Sequence, residues 1–577
     1  MNSDTIWPRR RQFASGGVSV GEGVAWGHVT FRAVELATER AARTDDSSPS
    51  TPRWATLDRH ARTDRSLWWL AFLTIGLLGG IWALMIPLGG QPDEPAHLVK
   101  AAAVARGHLR WIDRSTDIGA APGEITQTHL LVEAPVAFVD LSPATACAVA
   151  PPPEPWSCTR PPSTDTAPVV TDLYVGAYPP LPYLLMGWPS LVLEPEAAMY
   201  AARLCVLVIC AALLASAFVA IRRATRSTSG LWGLILAITP ATVFFATAAN
   251  PMGFEIAASV CVTASLLELL SARAPNERIS GSAVARTTLA AALLVNTRPA
   301  SLAVFAFITL AMLAGAGTRA RLGTLARDRY CQMGALAVGA ATVVASAWFV
   351  YARPLDSVVG IRQPDETRLE IARHSFDLLP VRVRELVGVF GWGDTNVPSW
   401  MAYGWLLLVA GLVVAALVVG TGRQRAVLAG LIAANVAIPT VAELPKAHDL
   451  GYIWQGRYSL PFVVAIPLFA GWCVARRHVR PPWAVPSAAL AACFVGVSMV
   501  VSIGMSLTRM AQGTIHPDVF GFVGEDLYPH GVLLAVVLVT AGVLYAAFVA
   551  YASIGAGALE APAGPNRDVE RSMPMVR

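Results

Sequence analysis

Residues 283–316 read AVARTTLAAALLVNTRPASLAVFAFITLAMLAGA, and the way this stretch divides decides the fold. A bilayer is crossed by roughly 20 apolar residues, so the run is too long for one comfortable helix. Taken whole, it would also carry Arg319, Arg321, Arg327 and Arg329 out of the cytoplasm and reverse most later loops, against the tendency of short arginine-rich loops to stay inside. A break at Asn296-Thr-Arg-Pro299 restores agreement. Arg423 and Arg425, then Arg476, Arg477 and Arg480, and finally Arg567 and Arg571 then fall on the same side as Arg222, Arg223, Arg226, Arg273 and Arg278. Pro299 supplies the local cause, since proline lacks an N–H and disfavours helix at the residue before it. The two short halves are expected to form a tight helical hairpin.

Ten further apolar runs flank the hairpin, at about 67–88, 199–221, 230–248, 253–271, 332–352, 401–420, 425–443, 458–475, 484–507 and 531–554. With the two halves they make about 12 transmembrane helices, both termini cytoplasmic. The composition agrees. Of 577 residues 54% are hydrophobic and 14% charged, against about a quarter charged in soluble domains, which argues strongly against a water-soluble enzyme. The fold class expected is an all-α polytopic membrane protein of the cytoplasmic (inner) membrane, in contact with the lipid bilayer. The net charge of +5 is a topology signal and points to no nucleic acid. Residues 1–66 read as a disordered basic arm, 67–555 as the membrane domain and 556–577 as a cytoplasmic tail. Outside lie a large first loop, 89–198, in which twelve carboxylates face five basic residues, and the loops 353–400 and 444–457. Cys147 and Cys158, in the first loop, can pair in an oxidising compartment or stay separate thiols.

The polar residues of interest gather in these loops. Directly after the first span comes Gln91-Pro-Asp-Glu-Pro-Ala-His97-Leu-Val-Lys100, in which Asp93 or Glu94 can cap a helix with Pro95 in its first turn. Asp93, His97 and Lys100 then share a face. A cap needs one acid, and this segment supplies two in tandem beside basic partners. Lys100 and Lys446 are the only lysines among 44 basic residues, and each has a histidine nearby, His97 and His448. An ammonium is a compact point charge where a guanidinium is a planar fork, so the two differ beside a phosphate. Further on, Tyr178-Pro-Pro-Leu-Pro precedes a surface helix, Gly391-Trp392-Gly-Asp394 offers an aromatic platform beside an acid, and Gln455-Gly-Arg457-Tyr458 opens a helix. Arg457 can grip a phosphate with two N–H groups, and Arg298 lies at the outer turn of the hairpin. The plain alternatives are helix caps, interfacial aromatic anchors and snorkelling arginines.

Pro-Asp-Glu-Pro-Ala-His, Tyr-Pro-Pro-Leu-Pro-Tyr, Gly-Trp-Gly-Asp and Gln-Gly-Arg-Tyr-Ser-Leu-Pro together resemble a family of bacterial predicted membrane proteins with a domain of unknown function. That family in turn resembles the GT-C glycosyltransferases. The resemblance covers roughly residues 67–555 and implies a GT-C-like architecture whose large external first loop carries surface helices. It places Asp93 and Glu94 at the acidic pair of the first external loop and Tyr178-Pro-Pro at the element that follows. At Asn250-Pro-Met-Gly253 the family pattern leads one to expect an acid where Met252 stands, which leaves Glu255 as the nearest substitute.

The implied activity is inverting transfer of a sugar from a polyprenyl-phosphate donor to a cell-wall glycan, lipid or protein acceptor. Nucleotide sugars are cytoplasmic, so an external site needs a donor already carried across. Such transfer needs a base for the acceptor hydroxyl, cations for the leaving phosphate and room for a lipid. Asp93, supported by Glu94, is the expected base or metal-organising carboxylate. His97, Lys100, Tyr178, Arg298, Trp392, Asp394, Lys446, His448, Arg457 and Tyr458 are the expected substrate contacts. A divalent cation such as Mg or Mn on Asp93 and Glu94 is compatible but not required. The rival classes are a transporter or flippase of an envelope precursor, a polymerase or ligase of surface polysaccharide, and a non-catalytic membrane partner. Transporters tend to hold their charges near the bilayer midplane.

Overall fold

The computed structural model describes residues 64–558 apart from 120, 226, 272–278, 357, 358, 365 and 478–483. The expected basic arm up to residue 63 and the tail from 559 lie outside the described residues. Residues 64–66, counted with that arm in the sequence, already belong to the first helix, α1 (Asp64–Met85).

The chain is mostly helical. Among the described residues nine helices are long and apolar enough to cross a membrane, among them Asp64–Met85, Pro195–Thr225, Pro251–Leu270 and Gly456–Ala475. Gly281–Val295 and Ser301–Ala316 are shorter, and they are separated by the turn at 296–300. At 1.5 Å per residue each measures only about 22–24 Å, below the ~30 Å hydrocarbon thickness. Burial sorts the long helices. Pro251–Leu270 and Gly456–Ala475 are 83% buried over their most apolar windows, whereas Arg329–Asp356 is 6% buried and turns almost all its apolar surface outward, as a lipid-facing helix does.

Arginines tie down the end of the bundle remote from residues 86–194. Arg222 and Arg223 both pair with Asp64, Arg286 pairs with Glu268, and Arg321 and Arg423 donate to the carbonyls of Leu269 and Ala314, which close helices. The opposite end carries a feature that the helical expectation omitted. The first loop holds an antiparallel sheet centred on β2 (Ile125–Pro135), which pairs with β1 (Asp113–Asp117) and β3 (Pro168–Asp172). A distant strand, β4 (Val359–Ile361), pairs with the start of β2. The first loop is therefore built of strands as well as surface helices. Cys147 and Cys158 form a disulfide within it.

Two helices of that loop frame the site. One is α2 (Glu94–Ala105), which follows the Pro-Asp-Glu-Pro turn; the other is α3 (Leu181–Gly187), the surface helix after the prolines. They meet at Gly187, where a Cβ would lie 2.2 Å from the Ala101 carbonyl oxygen, so the contact requires glycine.

Candidate functional site

The turn between α1 and α2 sets two neighbouring acids to different tasks. Asp93 occupies the N-cap position of α2 with φ at 61°, in the left-handed region, and its side chain makes no capping hydrogen bond. Strain of this kind costs a non-glycine residue roughly 1–3 kcal/mol and persists where the surroundings impose it. Here the side chain is turned away from its own helix. Tyr174 donates to Asp93 Oδ1 at 2.9 Å, and Arg457 Nη2 donates to Oδ2 at 3.1 Å. Asn250, which caps the helix Pro251–Leu270 through Met252 N, holds the turn by donating to the Pro92 carbonyl at 3.3 Å.

Glu94 faces the other way. Its carboxylate accepts from Arg203 at 2.5 and 2.6 Å and from Gly89 N at 2.9 Å, and both side chains of the pair are fully buried. Arg203 also donates to the carbonyls of Ala83, Ile86 and Pro87, closing the C-terminal end of α1. The capping role expected of one acid or the other falls to neither. As arranged, Asp93 and Glu94 do not fit a shared divalent cation, because each has its own guanidinium partner. Among the described residues no group of three His, Cys, Asp or Glu side chains is placed to hold a metal.

Around Asp93 its own helix, α2, and four further segments converge. His97, one turn along α2, lies 2.9 Å through Nδ1 from the Tyr183 hydroxyl, and its ring is 5.9 Å from that of Tyr178. Arg298, from the turn at 296–300, donates to Glu255 at 2.9 Å; Ser301 donates to the same carboxylate at 2.6 Å. Glu255 thus stands at the corner where Met252 replaces the expected acid. The Arg298 guanidinium carbon is 5.1 Å from the centroid of the Tyr458 ring and 5.9 Å from that of Tyr178, and that of Arg457 is 5.3 Å from Tyr458, all within cation–π range. Glu255 and Arg457 project from the two most buried helices, so the cluster sits where the bundle core opens at the sheet end.

Electrostatics fixes the protonation states. Burial opposes the charge of Asp93, but Arg457, the Tyr174 hydrogen bond and Arg298 hold its carboxyl below the usual carboxylate range. Burial pushes His97 down to about 3, so its imidazole is neutral at physiological pH. Lys100 is fully buried and is lowered by that burial to about 8; its ammonium donates to the carbonyls of Gly176 at 2.8 Å and Leu109 at 3.2 Å. Lys100 therefore ties α2 to the segment that carries Tyr174 and Tyr178.

The remaining expected contacts lie elsewhere. The backbone turns about Trp392 through Gly391 and Gly393, both at positive φ, and the indole N–H donates to the Gly89 carbonyl at 2.9 Å. Asp394 accepts from buried Arg509 at 2.5 and 3.0 Å. Lys446 and His448 sit at the short helix Ala447–Leu450 beside β4, where Gln363 N donates to the His448 carbonyl at 2.8 Å and the imidazole meets Asp449 at 3.1 Å.

Sequence reasoning missed Tyr174, which carries no distinguishing spacing, and assigned no task to Tyr183, although it closes the Tyr-Pro-Pro-Leu-Pro-Tyr motif. It also missed Arg203, for which a signal existed: an ionisable residue inside an apolar span is rare and in need of a partner.

Residues 76–466 match the model of a family described as Predicted membrane protein (DUF2142). The chain belongs to this family. It is a multi-pass membrane protein, and the whole Asp93 cluster falls inside the DUF2142 match, whereas Arg509 falls outside it. No curated protein and no solved structure matches the chain.

Proposed function

We propose that this DUF2142 protein is a GT-C-like glycosyltransferase of the cytoplasmic membrane. It crosses the bilayer twelve times with both termini inside, and it moves a sugar from a polyprenyl-phosphate donor to an envelope acceptor on the outer face. The observation that carries the proposal is the meeting of Asp93, Arg457, Arg298 and their tyrosines at the sheet end of the bundle core. The arginine-tied ends of the helices lie at the opposite end, which the positive-inside rule assigns to the cytoplasm.

Each participant has a task matched to its state. Asp93, ionised and held by Tyr174 on a strained backbone, takes the proton of the acceptor hydroxyl as its oxygen bonds to the anomeric carbon. The bond from that carbon to the phosphate oxygen breaks on the opposite side, which inverts the centre, and the electron pair leaves with the phosphate. Arg457 and Arg298 hold the developing charge. Arg457 Nε is buried without a partner, which leaves a donor for a ligand oxygen in addition to the contact with Asp93. Neutral His97, hydrogen-bonded to Tyr183, keeps the wall of the site polar but uncharged. Glu94 acts as a positioning residue through Arg203, and Lys100 does so through its two carbonyl partners. The charges lie at the start of helices, at one end of the bundle. This favours chemistry at the membrane surface over the alternating access of a transporter.

The test is transfer from extracted polyprenyl-phosphate sugars in membranes holding the wild type or Asp93→Asn. General-base catalysis contributes typically 10²–10⁴-fold, so a loss of about that size is expected. Equal turnover by both proteins removes Asp93 from the reaction, and solute uptake without transfer favours the transporter.

A further inference from the structure

A cavity of about 540 Å³ is lined by Pro95, two residues beyond Asp93, and by Tyr174, and its volume falls within the ~300–1,000 Å³ usual for small-molecule sites. Ala96 and Val99 of α2 form one wall, Val139 and the sheet residues Gln127 and Thr171 form others, and Tyr174 stands at its edge. Tyr174 is also the residue that donates to Asp93, so the cavity and the carboxylate share a side chain. The walls are largely apolar, with a few polar groups set among them. Two of these are carboxylates with fixed partners: Asp140 accepts from Arg160 at 2.5 Å, and Asp172 accepts from His129 at 2.7 Å and from Gln127 at 3.0 Å. The lining includes no lysine, arginine or histidine.

The surroundings of Asp93 and the lining of the cavity therefore differ. Two guanidiniums, those of Arg457 and Arg298, gather about Asp93. The cavity is lined by partnered carboxylates, an amide, hydroxyls and aliphatic surface. A phosphate suits the first and meets no cationic lining residue in the second. A neutral polyol suits the second, since its hydroxyls pair with carboxylate, amide and threonine groups while its C–H faces cover valine and alanine.

Given the transferase reading, we propose that this cavity is the acceptor subsite, which binds an uncharged glycosyl unit and directs one of its hydroxyls past Tyr174 to Asp93. The test uses the full chain in lipid nanodiscs and saturation-transfer NMR. The probes are neutral methyl glycosides of hexoses and pentoses, with methyl glucuronide as the anionic comparison. At least one neutral glycoside is expected to bind. Its affinity should fall about tenfold or more when the cavity is filled by Thr171→Trp or, independently, by Val139→Trp, and should survive in Asp93→Asn. Failure of every neutral glycoside to bind, equal or stronger binding of the glucuronide, or unchanged affinity in both filled variants overturns the proposal. The two readings fail separately. Glycoside binding at this cavity without any sugar transfer removes the transferase and leaves the cavity a glycoside site, whereas transfer that Asp93→Asn abolishes and neither filled variant alters removes the acceptor subsite alone.

Discussion

Arg457 Nη2 meets the carboxylate that would act as base, and this contact has consequences at the residue scale. A base must be ionised to accept a proton, and a guanidinium at 3.1 Å keeps Asp93 ionised while weakening its basicity. Arg457→Gln removes that partner, so the Asp93 pKa rises. Activity then falls at a higher pH on the acid side, and the acid limb of kcat/KM is expected to move upward in a pH–rate profile; an unmoved limb would assign the base elsewhere. His97 gives a second pH dependence, this time in stability. Its folded pKa of about 3 lies below the 6.5 of an unperturbed histidine, so between these pH values the unfolded chain binds more protons and stability falls as the solution is acidified. His97→Gln, which retains a hydrogen-bonding group for Tyr183, is expected to make unfolding in detergent less dependent on pH between about 6.5 and 3. An unchanged slope in the thermal midpoint over that range would refute it. At this scale the sequence disclosed candidates and left their tasks open. Asp93 and Glu94 are adjacent and chemically alike, yet one turns toward Tyr174 and the other into Arg203.

Among elements, the α1–α2 corner depends on the Glu94–Arg203 pair. Removing one partner of a buried ion pair strands the other without water, a penalty of about 3–5 kcal/mol. Glu94→Ala is therefore expected to lower the thermal midpoint strongly, while Glu94→Leu combined with Arg203→Met recovers much of the loss. Equal midpoints for the single and double variants would show that the pair is not what stabilises the corner. The helices were legible here because their apolar length is a local property, and Pro299 marked the break between Gly281–Val295 and Ser301–Ala316. The sheet was not legible. In β2 buried residues alternate from Thr126 through Thr128, Leu130 and Val132 to Ala134, so the period of two is present, but the first two of this series are threonines and a hydropathy profile passes over them. One of its partners, β4, follows more than two hundred residues later.

For the whole molecule, the proposed orientation has a direct check. In a chain with Cys331 and Cys493 replaced by serine, a cysteine introduced at Thr166, in the first loop, should react with an impermeant thiol reagent on intact cells. One at Ala326, on the arginine-rich helix Arg319–Arg327, should react only after the membrane is opened. The reverse pattern would place the site inside and exclude a lipid-linked donor exported to the outer face. By itself the sequence determined that this is a multi-pass membrane protein, where most of its long helices lie and that the run 283–316 breaks, because hydrophobic length and the constraints of proline act over a few neighbouring residues; the run at 230–248, expected as one span, is instead divided at Pro240 into Thr228–Ala237 and Pro240–Phe245. Only the tertiary structure decided which charges meet. Asp93 and Arg457 are 364 positions apart and Glu94 and Arg203 are 109 apart, and such pairs depend on how buried helices pack against one another, which no local pattern encodes.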